Sequence, residues 1–371
     1  MSIVQALGLH SVAAPEEGGQ WSLSCGLSGL AALEGVWRDC ERNGLTRNGF
    51  DLFDLHRICA EAAGPETIVV AVLERQGRRT ILPLRLVRHM AAREAVSLGA
   101  PLMQYATCVG DPPTGADLIA LTRALREKFS VDLLRLRKVR GDSPLLPALL
   151  EAGATSSEAT AAPLIDLKAY DSFDAYEATM SGASRRGRRQ RRRKLEDEVG
   201  PVDFKVMQGT EAAGVLAIAL DWKTAWLEGA SLASPVLDQG SWEEALVACG
   251  LSSCSRVSVL SVNGAPAAVE LGFVGAGEYL AYLGAFDPEL ARYSVGSEQM
   301  ARTIAWCFQE GLSRYDLLAP DDAYKRSWTK DRGSAPVADY SLCANVRGRL
   351  VWAVQSEGRV LAKQAFRRMP K

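Results

Sequence analysis

Residues 256–274, RVSVLSVNGAPAAVELGFV, decide how the chain folds. Two β-rich runs flank Asn263-Gly264, the dipeptide that most readily supplies the positive φ angles of a two-residue turn, so the stretch predicts a β-hairpin. An earlier stretch at 67–87, TIVVAVLERQGRRTILPLRLV, has the same form around Gly77. Behind each hairpin follow an amphipathic helix and a short buried strand. In the first half these are DLIALTRALREKFS (117–130) and VDLLRLRKV (131–139); in the second they are SEQMARTIAWCFQEG (297–311) and RYDLLAP (314–320). Met300, Ile304, Cys307 and Phe308 form one apolar face of the second helix, and Gly311 closes it. The intervals from Gly77 to Asp132 and from Gly264 to Asp316 nearly match, so the economical reading is one unit used twice. The predicted fold class is α/β: two tandem units, each a twisted mixed sheet flanked by helices.

Between the second hairpin and its helix lies YLAYLGAFDPELARYSVGSEQM (279–300). Tyr279 to Ala285 predict a third strand, and Asp287 a turn. Gly296, flanked by Ser294 and Ser297, exposes backbone N–H groups at the start of the helix, where the macrodipole favours an anion. The same residues also suit an ordinary N-cap. The matching first-half segment, GDPPTGADL (110–118), carries two prolines and two aspartates and suits an anion poorly. The second half is therefore expected to be the working one.

A chain of 371 residues is longer than one core normally grows, which favours two domains. Its 47% apolar and 23% charged residues are those of a folded protein. No run approaches the ~18 apolar residues of a membrane span. The opening MSIVQALGLHSVAAPEEGGQ lacks the basic region of a secretion signal, so a cytoplasmic protein is expected. Eight cysteines are scattered without a CxxC pair and read as reduced core residues. His10, His56 and His89 show no metal-ligand spacing, and no metal is expected. Because the second half has no histidine, a general base there has to be a carboxylate, a tyrosine, a lysine or a water.

Lys and Arg total 43 against 44 Asp and Glu, yet eight positive charges fall between Arg185 and Lys194. Such a run repels itself unless an anion shares its field. Read as a helical arm, it pairs Arg192 with Glu196 and Arg193 with Asp197 at i, i+4. Arg185 to Arg191 are left uncompensated, and Arg185, Arg186, Arg188, Arg189 and Arg192 are the expected anion- or substrate-binding residues. CoA phosphates, the pyrophosphate of a lipid-linked sugar, an acidic membrane surface, an anionic polymer and a cyclic dinucleotide all fit guanidinium forks. Nucleic acid fits poorly, since the rest of the chain is acidic and no aromatic residues interleave the run.

The segments SRRGRRQRRRKLEDEVGPVDFKV (184–206), YLGAFDPELARYSVGSEQMARTIAWCFQEGLSRYDLLAPDDAYKRSW (282–328) and RTILPLRL (79–86) resemble the CelD/BcsL family of GCN5-related N-acetyltransferases (GNAT). These are bacterial proteins of cellulose and other exopolysaccharide systems, related to the tandem peptidoglycan-bridge aminoacyltransferases. The resemblance spans roughly Ile68 to Trp328. It implies an N-terminal GNAT-like domain at 1–165 without its own active site, and a C-terminal GNAT domain at 166–335 with a basic arm at 181–199. A final strand and tail occupy 336–371. The tail from 351 onward mixes apolar and basic residues as an amphipathic helix does.

The resemblance further implies acetyl-CoA as cosubstrate and an amino sugar or glycan precursor as acceptor, free or lipid-linked, for a holdfast- or cellulose-like envelope polysaccharide. Cyclic di-GMP is implied as a regulator, with peripheral contact at the inner-membrane polysaccharide machinery. Two readings compete: a FemABX-like transferase that uses aminoacyl-tRNA, and a non-catalytic scaffold or cyclic di-GMP-binding protein. The second draws support from ARYSVGSEQ (291–299), which has Arg292 and a single glycine, Gly296, where the acyl-CoA turn of acetyltransferases usually has two.

Acyl transfer from a thioester needs a neutral amine, donors for the oxyanion and a proton for the leaving thiolate. Glu270, a lone carboxylate in an apolar strand, is the expected base if buried; strict alternation would instead turn it to solvent. The resemblance puts Tyr324 beside the thiolate, where a protonated phenol can donate. Asp316 is expected to orient a sugar hydroxyl or amine, or else to cap the next turn. Arg292, Tyr293, Ser294, Gly296, Ser297 and Lys325 are the expected cofactor contacts. Asp321 reads as a turn residue.

Overall fold

The computed structural model describes residues 20–75, 77–330 and 333–355. The first half runs β1 (Trp21–Cys25), α1 (Gly26–Ala31), α2 (Glu34–Arg42), α3 (Phe53–Ala63), β2 (Ile68–Arg75), β3 (Arg78–His89), β4 (Ala92–Ser97), β5 (Val109–Gly110), α4 (Gly115–Phe129), β6 (Leu133–Arg140), α5 (Leu145–Glu151), β7 (Thr155–Ser156) and β8 (Thr160–Asp166). The second runs α6 (Phe173–Ala178), α7 (Gly182–Glu198), β9 (Val202–Met207), α8 (Ala213–Gly229), α9 (Gly240–Gly250), β10 (Ser255–Val262), β11 (Ala265–Gly275), β12 (Glu278–Phe286), α10 (Val295–Gln309), β13 (Arg314–Asp316), α11 (Ala323–Thr329) and β14 (Ser334–Cys343). Both expected hairpins form, as β2–β3 and β10–β11, and both turns use positive φ: Gly77 at 77°, Asn263 at 49° and Gly264 at 81°. No helix among the described residues is long and apolar enough to cross a membrane.

The strands join in one mixed sheet ordered β1-β2-β3-β4-β6-β14-β8-β13-β12-β11-β10-β9. Each half contributes an antiparallel meander followed by one parallel pair: β4 with β6, and β12 with β13. The crossover helices, α4 and α10, are what parallel pairing requires. At the centre the halves exchange strands. β8, which ends the first half, pairs with β13 of the second, while β14, from the end of the described chain, pairs with β6 of the first. The expected boundaries at 165/166 and 335/336 thus fall inside β8 and β14, because each half's sheet is completed by a strand from the other.

Aligning the parallel rungs makes the repeat quantitative. Glu94↔Leu133, Ala95↔Leu134 and Val96↔Arg135 correspond to Glu278↔Arg314, Tyr279↔Tyr315 and Leu280↔Asp316. The counterpart of Asp316 is therefore Arg135 and not Asp132, whose carboxylate accepts from the Arg93 amide at 2.9 Å and Asn345 Nδ2 at 2.7 Å.

One apolar cluster crosses the seam and packs Phe50, Leu55 and Cys59 of the first half against Leu216, Trp242, Phe273 and Leu280 of the second. Each such side chain contributes about 1.5–3 kcal/mol on leaving water, so the seam is as much core as either half. A polar tie adds to it: Arg140 donates to Glu278 at 3.0 Å and to Asp316 at 2.8 Å, and the Tyr105 hydroxyl reaches the Asp316 carboxylate at 2.9 Å. Cys40, Cys59, Cys108, Cys249, Cys254 and Cys307 are buried and unbridged.

Candidate active site

The site begins with the alternation of β11. Val269, Leu271 and Phe273 point into the seam core under α8 and α9, so Glu270 points to the opposite face, which α10 covers. Both faces are covered, and Glu270 is only 3% exposed; the solvent-facing alternative does not hold. Two tyrosines meet it. Tyr279 on β12 lies where a side chain on Gly272 would sit, a Cβ there falling 2.1 Å from its ring Cζ, and so its hydroxyl reaches Glu270 Oε1 at 3.1 Å. Tyr315 on β13 stacks on Tyr279, centroids 5.1 Å apart and planes 9° from parallel, and donates to Glu270 at 2.8 and 2.9 Å. Burial pushes the Glu270 carboxyl up to about 7, even though both hydroxyls favour its charged form.

This carboxyl lies at a fork in the sheet. β12 keeps β13 as a neighbour only as far as Leu280↔Asp316 and continues to Phe286 paired on its β11 side alone. Gly284, the β12 partner of Glu270, belongs to the stretch that β13 does not reach. Tyr324 on α11 is 55% exposed, and its hydroxyl is pushed up to about 12 by desolvation and by the Glu270 charge, so it is protonated at neutral pH. Behind Glu270, Ser258 on β10 and Thr303 and Gln299 on α10 form a buried network: Gln299 Nε2 donates to both hydroxyls at 2.7 Å. It fixes the helix to the strand next to the carboxylate.

Ser294, Gly296 and Ser297 come together at the start of α10, half-buried beside the exposed ring of Phe286. Ser294 is in the left-handed region at φ 55° and its side chain makes no cap hydrogen bond, so the first amides keep no side-chain acceptor. The first-half equivalent is filled. Asp117 in α4 accepts from the Thr114 amide at 2.9 Å and hydroxyl at 2.8 Å, supplying that helix with its own anion.

Several expected residues lie elsewhere. Asp316 is fully buried on the sheet face opposite Tyr315, held by Arg140, Tyr105 and the Leu318 amide at 2.7 Å, which makes it a seam residue. Lys325 is 6% exposed and donates to the carbonyls of Leu318 and Pro320 at 3.0 and 2.9 Å, so it ties a turn instead of facing phosphates. Tyr293 is buried and donates to Glu198 at 2.6 Å, with Arg292 donating to the Tyr293 hydroxyl at 2.5 Å. Both are turned to the C-terminal end of α7.

The arginine run is a helix, as expected, but much of it is compensated. Arg188 is buried, pairs with Glu177 and lies over the Trp328 ring at 5.7 Å. Arg189 reaches Glu177 at 3.4 Å, and Arg192 reaches both Glu196 and Glu298 at 3.7 Å. Lys194 with Glu198 replaces the expected Arg193–Asp197 pair. Arg185, Arg186 and Arg193 have no carboxylate partner among the described residues. Tyr279, Tyr315 and Gln299 escaped the sequence reading; a hydroxyl at an inward position in each of two apolar strands was the available signal.

Comparison with known proteins bears on the fold and the domain class. Residues 182–326 match the family model of the acetyltransferase (GNAT) domain. FemX shares the fold at a TM-score of 0.56 and 10% identity, over 81% of this chain and 93% of its own. The C-terminal domain of a protein described as a lysylphosphatidylglycerol synthetase from Agrobacterium fabrum shares it at 0.53 and 14%, over 87% and 96%. No curated protein matches the sequence. The chain carries a GNAT domain in its second half, and the enzyme class that goes with it is acyltransferase. No group of His, Cys, Asp and Glu among the described residues has the geometry of a metal site.

Proposed function

We propose that the protein is an acetyl-CoA-dependent N-acetyltransferase whose acceptor is an amino sugar or glycan precursor of an envelope polysaccharide. The observation that carries this reading is the buried Glu270, titrating near neutrality below the fork of β12 and β13 and inside the segment that matches an acetyltransferase domain. Acetyl-CoA supplies the activated thioester. The acceptor amine attacks its carbonyl carbon, a C–N bond forms and the C–S bond breaks. Glu270 takes the proton that the amine loses. Tyr324 gives one to the leaving thiolate and regains it from solvent. The amides that open α10 at Val295 and Gly296 are the candidate contacts for the CoA pyrophosphate. The acceptor class rests on the resemblance to the CelD/BcsL family, as does regulation by cyclic di-GMP.

Thiol release from acetyl-CoA, measured against a panel of free and nucleotide-linked amino sugars, tests the proposal. Release that depends on the amine and is lost in Glu270→Gln supports it. Stabilisation by charged tRNA without any response to acetyl-CoA would replace it with aminoacyl transfer. Tight cyclic di-GMP binding without acetyl-CoA binding would replace it with a sensor or scaffold.

A further inference from the structure

The first half has apolar residues at the positions equivalent to the Glu270 cluster. Counting rungs from the hairpin turns, Leu82, Ala95 and Leu134 stand where Glu270, Tyr279 and Tyr315 stand in the second half, and all three are buried in the apolar core beneath α4. The other face of the same strands is different. There the second half carries the apolar row Phe273, Leu280 and then Asp316, whereas the first carries Arg85, Val96 and Arg135 on successive strands. Where the second half is mostly apolar on this face, the first presents guanidinium groups.

These groups line a cavity of about 530 Å³, which falls within the size range of small-ligand sites. Arg85, Arg88, Arg135 and Arg137 contribute to it against one carboxylate, Glu94. Glu94 is already engaged by Arg135 at 3.2 Å and by Gln355 Nε2 at 3.1 Å. Arg137 reaches Asp339 only at 3.8 Å. Arg85 and Arg88 have no carboxylate among the described residues. The Arg85 Nε is buried with no hydrogen-bond partner, and its guanidinium lies over the indole of Trp242 on α9 of the second half, 5.2 Å from the centroid. Burial and the neighbouring Arg137 both disfavour its charge. Beyond the Arg135–Glu94 pair, three further guanidinium groups around partly buried space repel one another, at a cost that an anion in the cavity offsets.

We infer that this cavity is a binding site for a phosphate-bearing ligand of nucleotide-diphosphate size, separate from the fork at Glu270. The planar forks of Arg85, Arg88 and Arg137 suit paired phosphate oxygens, and the Trp242 indole packs against the Arg85 guanidinium. The inference stands whether or not the second half transfers acetyl groups. The same phosphate chemistry is offered by a soluble nucleotide and by a lipid headgroup.

Calorimetric titration of the full chain with inorganic pyrophosphate, UDP and sulfate tests it, beside cosedimentation with phosphatidylglycerol and phosphatidylcholine vesicles. Pyrophosphate or UDP should bind at least tenfold more tightly than sulfate. Arg85→Gln and Arg88→Gln should each weaken that binding tenfold or more, with Arg57→Gln, on the exposed face of α3, as an unaffected control. Arg88 is exposed, so its variant keeps the test valid if Arg85→Gln lowers the melting temperature. Binding of phosphatidylglycerol vesicles that requires Arg88, without binding of the soluble probes, upholds the site and assigns a lipid source. No preference over sulfate together with no Arg88-dependent vesicle binding, or wild-type affinity in both variants, would overturn it.

Discussion

The Tyr315 hydroxyl lies 2.8 Å from Oε1 and 2.9 Å from Oε2 of Glu270, a single donor shared by both oxygens of a carboxylate that is almost wholly out of solvent. A base held in this way must be ionised to act. Because burial raises its titration to about 7, kcat/KM should climb with pH through that value and level off above it. Glu270→Gln should lower turnover by about 10²–10⁴-fold and abolish the acid limb. A pH–rate profile of both forms decides the point; wild-type turnover in the variant removes Glu270 from the chemistry.

The same burial has an opposite effect on stability. A group whose titration is raised on folding stabilises the native state below its unfolded value, near 4.5, and that contribution is lost as pH rises through about 7. The loss is on the order of 3 kcal/mol. Glu270→Gln should thus melt no lower than wild type at pH 8, with its relative advantage shrinking towards pH 5. Asp51, also buried and raised to about 7, has the same sign and leaves a residual slope in the variant. Thermal melts across that range measure both effects.

Tyr324 is exposed, so Tyr324→Phe should leave the melting temperature within the small change typical of surface substitutions, about 0.5 kcal/mol. If its hydroxyl protonates the departing thiolate, turnover should fall by about a hundredfold or more while KM for acetyl-CoA stays near wild type. Steady-state kinetics separate the two parameters.

Gly272 is where backbone and ring compete for one space. Gly272→Ala brings a methyl group against the buried Tyr279 ring, which has no room to retreat. Overpacking of this kind costs about 1–3 kcal/mol. Turnover should fall with it, since Tyr279 loses its place on Glu270. Denaturant unfolding and turnover, measured on one preparation, check the pairing of the two losses.

Arg140 ties the seam. Arg140→Met leaves Asp316 fully buried without its cation, while Glu278 keeps Arg314 at 2.8 Å; an unpaired buried charge of this kind costs about 3–5 kcal/mol. The deficit should diminish as pH falls, because the stranded Asp316 carboxyl, already raised by burial, can take up a proton. Urea unfolding at pH 7 and pH 4.5 tests both statements.

The hairpins were legible because Asn263-Gly264 and Gly77 act through local φ angles, and the helices because their apolar faces repeat with the helical period. The orientation of Glu270 was not, since alternation assigns faces without saying that helices cover both of them. Asp316 and Lys325 misled for a related reason. Each sits in a segment whose local pattern suits a ligand contact, and its partners, Arg140 and the Leu318–Pro320 carbonyls, depend on tertiary structure. The arginine run revealed its helix but hid Glu177 and Glu298, which lie outside it and neutralise much of its buried side. Nothing in the local composition of β8 or β14 announces which sheet each completes.

That reciprocal completion sets a condition on biosynthesis. While the chain is still being made, β6 presents a naked edge for as long as β14 is unmade, and such edges recruit other strands. A nascent first half is thus adhesive until nearly two hundred further residues have left the ribosome, and premature termination upstream of Ser334 should produce insoluble fragments instead of an independently folded lobe.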